Sequence, residues 1–98
     1  MGLIRKVDYD TDYRAGCETC DYGSEYIDIF DVEFNDGDKW HIEVNEMYEH
    51  NGISESDLMQ ISIDSKSKEE FKKKIITIVE TNSEGYTTLI INDEKYTF

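Results

Sequence analysis

The chain has 98 residues, of which 23 are acidic and 10 basic, so its net charge is −13. A chain of this length is predicted to form a single domain over residues 1–98. Such an acidic surface repels DNA, RNA and anionic lipid unless a basic patch or a bridging cation intervenes, while a hydrophobic content of 38% and an aromatic content of 12% argue against disorder. No apolar run approaches the ~20 residues of a membrane span, and the first residues lack the apolar segment of a secretory signal. We therefore expect a soluble intracellular protein. In that compartment the two cysteines are expected to form no permanent disulfide.

The first part of the chain is predicted to form a short strand and a long loop. Residues 3–9 are predicted as the strand and residues 10–24 as the loop. The loop contains two glycines and the sequence Cys17-Glu-Thr-Cys20.

The clearest predicted element is a β-hairpin formed by residues 25–34 and 39–45. Apolar and polar residues alternate in both segments, which is typical of antiparallel strands with one buried face. The sequence Asn35-Asp36-Gly37 predicts a three-residue loop with a bulge at the glycine. Ile27 and Ile29 fall on the polar side of the alternation, so we expect the start of the first strand to be bulged or covered by another element. The predicted pairs are Phe34 with Asp38, Glu33 with Lys39, Val32 with Trp40, Asp31 with His41 and Phe30 with Ile42.

The second half of the chain is predicted to contain a helix. Residues 46–66 are ambiguous, because residues 55–62 fit a short helix and their apolar residues equally fit a strand. A helix is predicted to start after Ser67, where a capping box is possible, and to end with Gly85 as its C-terminal cap. Its apolar face is formed by Phe71, Ile75, Ile76 and Val79.

A closing hairpin is predicted over residues 86–98, around Asp93-Glu94. This prediction places Leu89 opposite Phe98 and Ile91 opposite Tyr96. The fold class is therefore predicted as α+β, with an antiparallel sheet of four to five strands and one main helix packed on one face.

Cys17 and Cys20 form one Cys-x-x-Cys pair, for which three interpretations are open. A turn that holds two partly buried thiols requires no ligand. A zinc site requires four ligands, and either His41 and His50 or the same pair from a second copy in a homodimer would complete it. A redox dithiol requires a lowered thiolate pKa, which the acidic residues flanking the pair oppose.

No other arrangement of residues indicates catalysis or ion binding. Asp8, Asp10 and Asp12 alternate like the first ligands of a calcium loop. Tyr13 and Thr19 stand where that loop requires Gly and Glu. The sequence also contains no nucleophile elbow, phosphate loop or dinucleotide fingerprint, so we expect a protein that is not an enzyme and needs no cofactor, zinc excepted.

The acidic residues are concentrated in residues 1–50, which carry 14 acidic against 4 basic side chains. Many of them lie in or next to the predicted hairpin, where outer-face carboxylates on two strands would approach the charge density of a nucleic-acid strand. Such a face favours a basic protein surface as its partner, although a solvated acidic face also serves solubility. The predicted binding residues are Asp28, Asp31, Glu33, Asp36, Asp38, Glu43, Tyr22 and Tyr26.

Three segments resemble small uncharacterised acidic proteins of phages that infect Gram-positive bacteria. They are residues 16–27 (GCETCDYGSEYI), 44–48 (VNEMY) and 53–59 (ISESDLM). The resemblance implies no catalytic residue, and it implies a phage or prophage protein that acts in the bacterial cytoplasm. Small acidic phage proteins often block host or defence enzymes, CRISPR nucleases among them, in some cases by occupying a nucleic-acid site.

The resulting hypothesis is a non-enzymatic inhibitor of a host or defence enzyme that binds nucleic acid, of anti-CRISPR or anti-restriction type. It would contact the basic surface of that enzyme through its acidic hairpin and bind neither nucleic acid nor membrane directly. The alternative is a small zinc-stabilised domain, monomeric or dimeric, that uses Cys17 and Cys20 as ligands.

Overall fold

The protein has the predicted α+β fold, and its described residues form one five-stranded antiparallel sheet with two helices packed against it. The computed structural model describes residues 2–14, 25–47, 53–83, 85 and 87–98. Neighbouring strands in the sheet follow the chain order, β1-β2-β3-β4-β5. The elements are β1 (Ile4–Arg14), β2 (Glu25–Phe34), β3 (Lys39–Met47), α1 (Glu55–Asp64), α2 (Lys68–Asn82), β4 (Thr87–Ile91) and β5 (Glu94–Thr97).

The β2–β3 hairpin has the predicted register. Gly37 adopts a left-handed φ of +92°, and the backbone N–H of Phe34 donates to the carbonyl of Asp38 at 2.8 Å. Val32 pairs with Trp40, and the pairing continues without a shift to Glu25 and Met47. No bulge therefore interrupts β2 along this pairing, and one of the two alternatives for its start is excluded.

Strand β1 is longer than predicted, because it continues to Arg14 instead of ending at residue 9. The alternation of acidic residues with valine, tyrosine and threonine runs through the whole segment, and β2 pairs with it as far as Glu25. β1 is an edge strand. The carboxylates of Asp10 and Asp12 accept hydrogen bonds from the next backbone N–H groups along the strand, each at 2.8 Å.

Residues 55–64 form a helix, which resolves the ambiguity between helix and strand. A reciprocal capping box starts α1: the Ser54 hydroxyl accepts from the Asp57 N–H at 3.1 Å, and the Asp57 carboxylate accepts from the Ser54 N–H at 2.9 Å. Leu58 and Ser62, four residues apart, are its buried side chains. Among the described residues, no helix combines the length and the apolar content that crossing a membrane requires.

Helix α2 begins after Ser67, whose hydroxyl accepts from the Glu70 N–H at 3.2 Å. Phe71, Ile75 and Val79 are buried as predicted, and Ile76 is only partly buried.

The predicted C-terminal cap of α2 is wrong. The helix ends at Asn82, and the N–H of Ser83 donates to the carbonyl of Glu80 at 3.2 Å. Gly85 has a left-handed φ of +103°, but it lies beyond this cap. An extended Ser83 therefore ends the helix before the glycine is reached.

The predicted register of the closing hairpin is wrong by two residues. Leu89 pairs with Tyr96, and Ile91 pairs with Glu94, so the connection is a two-residue turn at Asn92 and Asp93. Asn92 adopts a φ of +56°, which asparagine tolerates better than most residues. Its N–H donates to the His41 carbonyl at 2.7 Å, and its side-chain oxygen accepts from the His41 N–H at 3.0 Å, so contacts with β3 hold the turn.

The core lies between the two helices and one side of the sheet, which we call the helix-facing side. Phe34 and Trp40 contact Phe71 of α2, with ring centroids 5.7 and 5.9 Å from that of Phe71. We call the opposite side of the sheet the outer face, and none of its described residues belongs to this cluster. The buried members are Ile4, Phe30, Val32, Phe34, Ile42, Val44, Ile53, Leu58, Phe71, Ile75, Val79, Leu89 and Ile91.

Replacing Ser62 with alanine should destabilise the fold. The buried Ser62 hydroxyl accepts the backbone N–H of Ile4 at 3.0 Å, and its loss would leave a buried donor unsatisfied, at a cost of about 1–3 kcal/mol in the free energy of unfolding. Urea denaturation measures the change. Ser56→Ala, at an exposed position of the same helix, is the matched control and should change stability by less than about 0.5 kcal/mol. Equal stabilities of the two variants would contradict this role of Ser62.

Candidate functional site

Seven carboxylates of β1, β2 and β3 share the outer face of the sheet, and we call this group the acidic face. Side chains alternate between the two sides of a strand, and the register opposes Asp8 to Asp31 and Ile29 to Glu43. Lys6 and Lys39 flank Glu33 in the same row. The seven residues of the acidic face are Asp8, Asp10, Asp12, Glu25, Asp31, Glu33 and Glu43.

Three of the predicted binding acids, Asp31, Glu33 and Glu43, belong to the acidic face. Their positions follow from the register, because two residues that lie opposite each other in an antiparallel pair have their side chains on the same side of the sheet. The hairpin thus brings together carboxylates on two strands, as the sequence predicted.

Asp36 and Asp38 lie in the β2–β3 turn and contact Lys68, the first residue of α2. The Lys68 ammonium donates to Asp36 at 2.7 Å and to Asp38 at 3.0 Å. These hydrogen bonds lower the pKa of both carboxyl groups and raise the pKa of Lys68. Lys68 also lies over the Phe34 ring, 4.9 Å from its centroid. The two aspartates therefore join the turn to the helix, and a cation of the same chain already contacts them.

Asp28 lies on the helix-facing side and is 1% exposed, so it is not part of the acidic face. Its carboxylate accepts the Tyr9 hydroxyl at 2.9 Å, and burial together with this contact raises the pKa of Tyr9. The continuous register places Asp28 on the same side as Phe30. Ile27 is correspondingly on the outer face, where it is nonetheless buried.

Four of the other residues named from the sequence lie outside the described residues: Tyr22, Cys17, Cys20 and His50. Tyr26 is described, and it lies on the helix-facing side opposite Tyr13. The described residues contain no group of three or more His, Cys, Asp or Glu side chains arranged to hold a metal ion. The zinc alternative therefore stays a prediction.

His41 of β3 lies on the outer face between two carboxylates of the acidic face. Its Nδ1 is 2.8 Å from the Asp31 carboxylate, and its Nε2 is 2.9 Å from that of Glu43. Both contacts favour the charged ring, so the hydrogen bonds to Glu43 and then Asp31 raise the pKa of His41. Both ring nitrogens are donors only in the imidazolium form. The histidine thus offsets part of the negative charge and links β2 to β3.

The contribution of β1 to this face was not predicted from the sequence. Asp8, Asp10 and Asp12 were compared only with calcium ligands, and the predicted strand ended at residue 9. The period-two alternation continues to Tyr13, and this pattern predicts a longer strand with the three aspartates on one side.

The acidic face can bind cations or cationic side chains, since carboxylates form charge-assisted hydrogen bonds with arginine and lysine. The Lys6 ammonium lies 3.6 Å from Asp8, and Arg5 lies 3.9 Å from Glu33. These pairs are largely exposed, and exposed pairs are weak.

No protein-family model, curated protein or solved structure matches the chain.

The His41 pair should make stability depend on pH. Its pKa is higher in the folded chain than the ordinary value of 6.5, so the stabilisation is complete below pH ~6.5 and is lost as pH rises through the raised value. The histidine side chain is 45% exposed, so we expect less than about 1 kcal/mol. The stability difference between wild type and His41→Gln, measured by urea denaturation, should therefore shrink between pH 6 and 9.

An NMR titration supplies the control, with the His41 ring signals assigned by their absence in His41→Asn. The double variant Asp31→Asn, Glu43→Gln should lower the pKa of His41 toward its ordinary value. A pKa unchanged by this double substitution would show that the two carboxylates do not cause the shift.

Proposed function

We propose that the protein is a non-enzymatic binding protein whose acidic face occupies the basic, nucleic-acid-binding surface of an enzyme. The observation that carries this proposal is the placement of seven carboxylates on the side of the sheet opposite the helices. A surface that recognises phosphates through lysine and arginine also recognises carboxylates at similar spacing. Binding would therefore inhibit the enzyme by competition with its nucleic acid.

The spacing of the carboxylates supports this competition. Asp8, Asp10 and Asp12 follow one another on one side of a strand, at intervals of ~6.6 Å. Asp31 and Glu33 lie on the neighbouring strand, ~4.8 Å away. Phosphates in one nucleic-acid strand are spaced by ~3.4 Å along the helix axis. Two rows of carboxylates thus approach the linear charge density of that strand.

The biological setting in this proposal is a phage or prophage protein that acts in the bacterial cytoplasm. The resemblance of residues 16–27, 44–48 and 53–59 to acidic phage proteins supports it. The enzyme that is blocked would then be a host or defence nuclease, such as a CRISPR or restriction enzyme.

The proposal predicts a complex that depends on salt and on β1. Immobilised wild-type protein should retain basic nucleic-acid-binding proteins from a lysate of a Gram-positive bacterium at low salt. It should release them at about 1 M salt, where the Debye length is ~3 Å. Each exposed ion pair contributes about 0.2–1 kcal/mol, so the variant Asp8→Asn, Asp10→Asn, Asp12→Asn should bind the retained protein about tenfold more weakly. Asparagine keeps the oxygen that accepts the strand's own N–H groups.

A matched variant separates the acidic face from overall charge. Asp64→Asn, Glu80→Gln, Asp93→Asn also removes three exposed carboxylates, but none from the acidic face, and it should keep the wild-type affinity. Competition by a nucleic-acid duplex for the retained protein should follow the same order of variants. Equal weakening by both triple variants would contradict a localised binding face, and retention that survives 1 M salt would contradict an electrostatic one.

A further inference from the structure

Three tyrosines on β1 and β2 form an aromatic surface that is not part of the hydrophobic core. Tyr9 and Tyr13 of β1 lie on the helix-facing side, yet they are 43% and 53% exposed. Tyr26 of β2 is partly buried, and its ring centroid lies 5.0 Å from that of Tyr13. The Tyr9 ring lies 5.0 Å from the core residue Phe30. We call Tyr9, Tyr13 and Tyr26 the tyrosine strip.

Carboxyl groups lie directly behind the tyrosine strip. Asp28 accepts the Tyr9 hydroxyl at 2.9 Å, and Glu46 of β3 pairs in register with Tyr26. Both are on the helix-facing side, at 1% and 5% exposure. The ring faces of tyrosine carry negative partial charge, so the exposed rings of Tyr9 and Tyr13 favour a cation at this surface.

The tyrosine strip and the acidic face meet at the same edge of the sheet. β1 is an edge strand, and its residues alternate between Tyr9 and Tyr13 on one side and Asp10 and Asp12 on the other. A partner that approaches this edge therefore reaches aromatic rings and carboxylates within one or two residues of each other. The self-capped N–H groups of Thr11 and Tyr13 make strand addition unfavourable there, which leaves side-chain contacts as the mode of recognition.

We propose that the tyrosine strip is an arginine-binding surface, which takes arginine side chains from a basic protein partner. This inference rests on the proposed function and names the anchoring contact. Guanidinium groups are planar, stack on aromatic rings and donate five hydrogen bonds, so one arginine contacts a ring of Tyr9 or Tyr13 and a nearby carboxylate together. Lysine is a compact and strongly hydrated charge, which matches the acidic face but gains less from the rings.

The test compares labelled deca-arginine with deca-lysine as probes of the whole protein at low salt. The readout is the ratio of the two Kd values. The variant Tyr9→Leu, Tyr13→Leu should lower the preference for arginine about fivefold, given the strength of exposed cation–π contacts, and leave the affinity for deca-lysine unchanged. The matched variant Tyr9→Phe, Tyr13→Phe keeps the rings and should keep the wild-type ratio within about twofold. The phenylalanine variant lacks the same two hydroxyl groups as the leucine variant, including the Tyr9 hydroxyl that donates to Asp28. Thermal melting of both variants therefore controls for the loss of this contact.

The outcomes separate this inference from the proposed function. In one outcome, both peptides bind more weakly to the variant Asp8→Asn, Asp10→Asn, Asp12→Asn, but the leucine variant has the same ratio of the two Kd values as wild type. This outcome overturns the arginine-binding strip alone. An equal loss of preference in the phenylalanine and leucine variants also overturns it, because hydroxyl groups and not rings would then be responsible. If neither peptide binds wild type at low salt, both proposals are overturned.

Discussion

The pairing of β2 with β3 in a single register is the constraint on which the rest of the structure depends. Gly37 reverses the chain with a left-handed φ, and Val32 then pairs with Trp40. A slip of one residue would turn one of the two strands over. Ile42 would face water if β3 were turned over, and Asp31 would enter the core if β2 were. The apolar surface that the helices cover and the acidic face on the other side are therefore consequences of one turn.

The protein compensates its negative charge unevenly. Lys68 contacts Asp36 and Asp38 in the turn, and His41 contacts Asp31 and Glu43 of the acidic face. The aspartates of β1 also have a structural role, since charged residues on an edge strand discourage pairing with another chain. Edge protection explains exposed charge on β1. It does not by itself explain a second row of carboxylates on β2, and the proposed partner explains both.

The beginning of β2 reverses the usual distribution of polar and apolar residues. Asp28 is buried on the helix-facing side, and Ile27 is buried on the outer face. Places where a local pattern conflicts with the fold are expected at functional or strained sites. Here the conflict lies beside the tyrosine strip, and it places a buried carboxyl group behind exposed aromatic rings.

Local interactions allowed much of the fold to be predicted from sequence. The turn at Gly37, the hairpin register and the cap at Ser67 depend on residues within a few positions of each other, so the chemistry that determines them is visible in a short segment. The acidic residues Asp31, Glu33 and Glu43 could be placed on one face for the same reason. The contribution of β1 to that face was equally readable from its alternation, which extends past residue 9.

Tertiary structure decided what depends on distant partners. Lys68 reaches Asp36 across 32 positions, and Asn92 reaches His41 across 51, so neither the compensated turn nor the register of the closing hairpin follows from a local pattern. The burial of Asp28 and the exposure of Tyr13 depend on which part of the sheet the helices cover. The sequence by itself determined that the protein is acidic and that its acids alternate with apolar residues. Packing decided which of those acids face solvent, because burial is a property of the assembled layers and not of the strand.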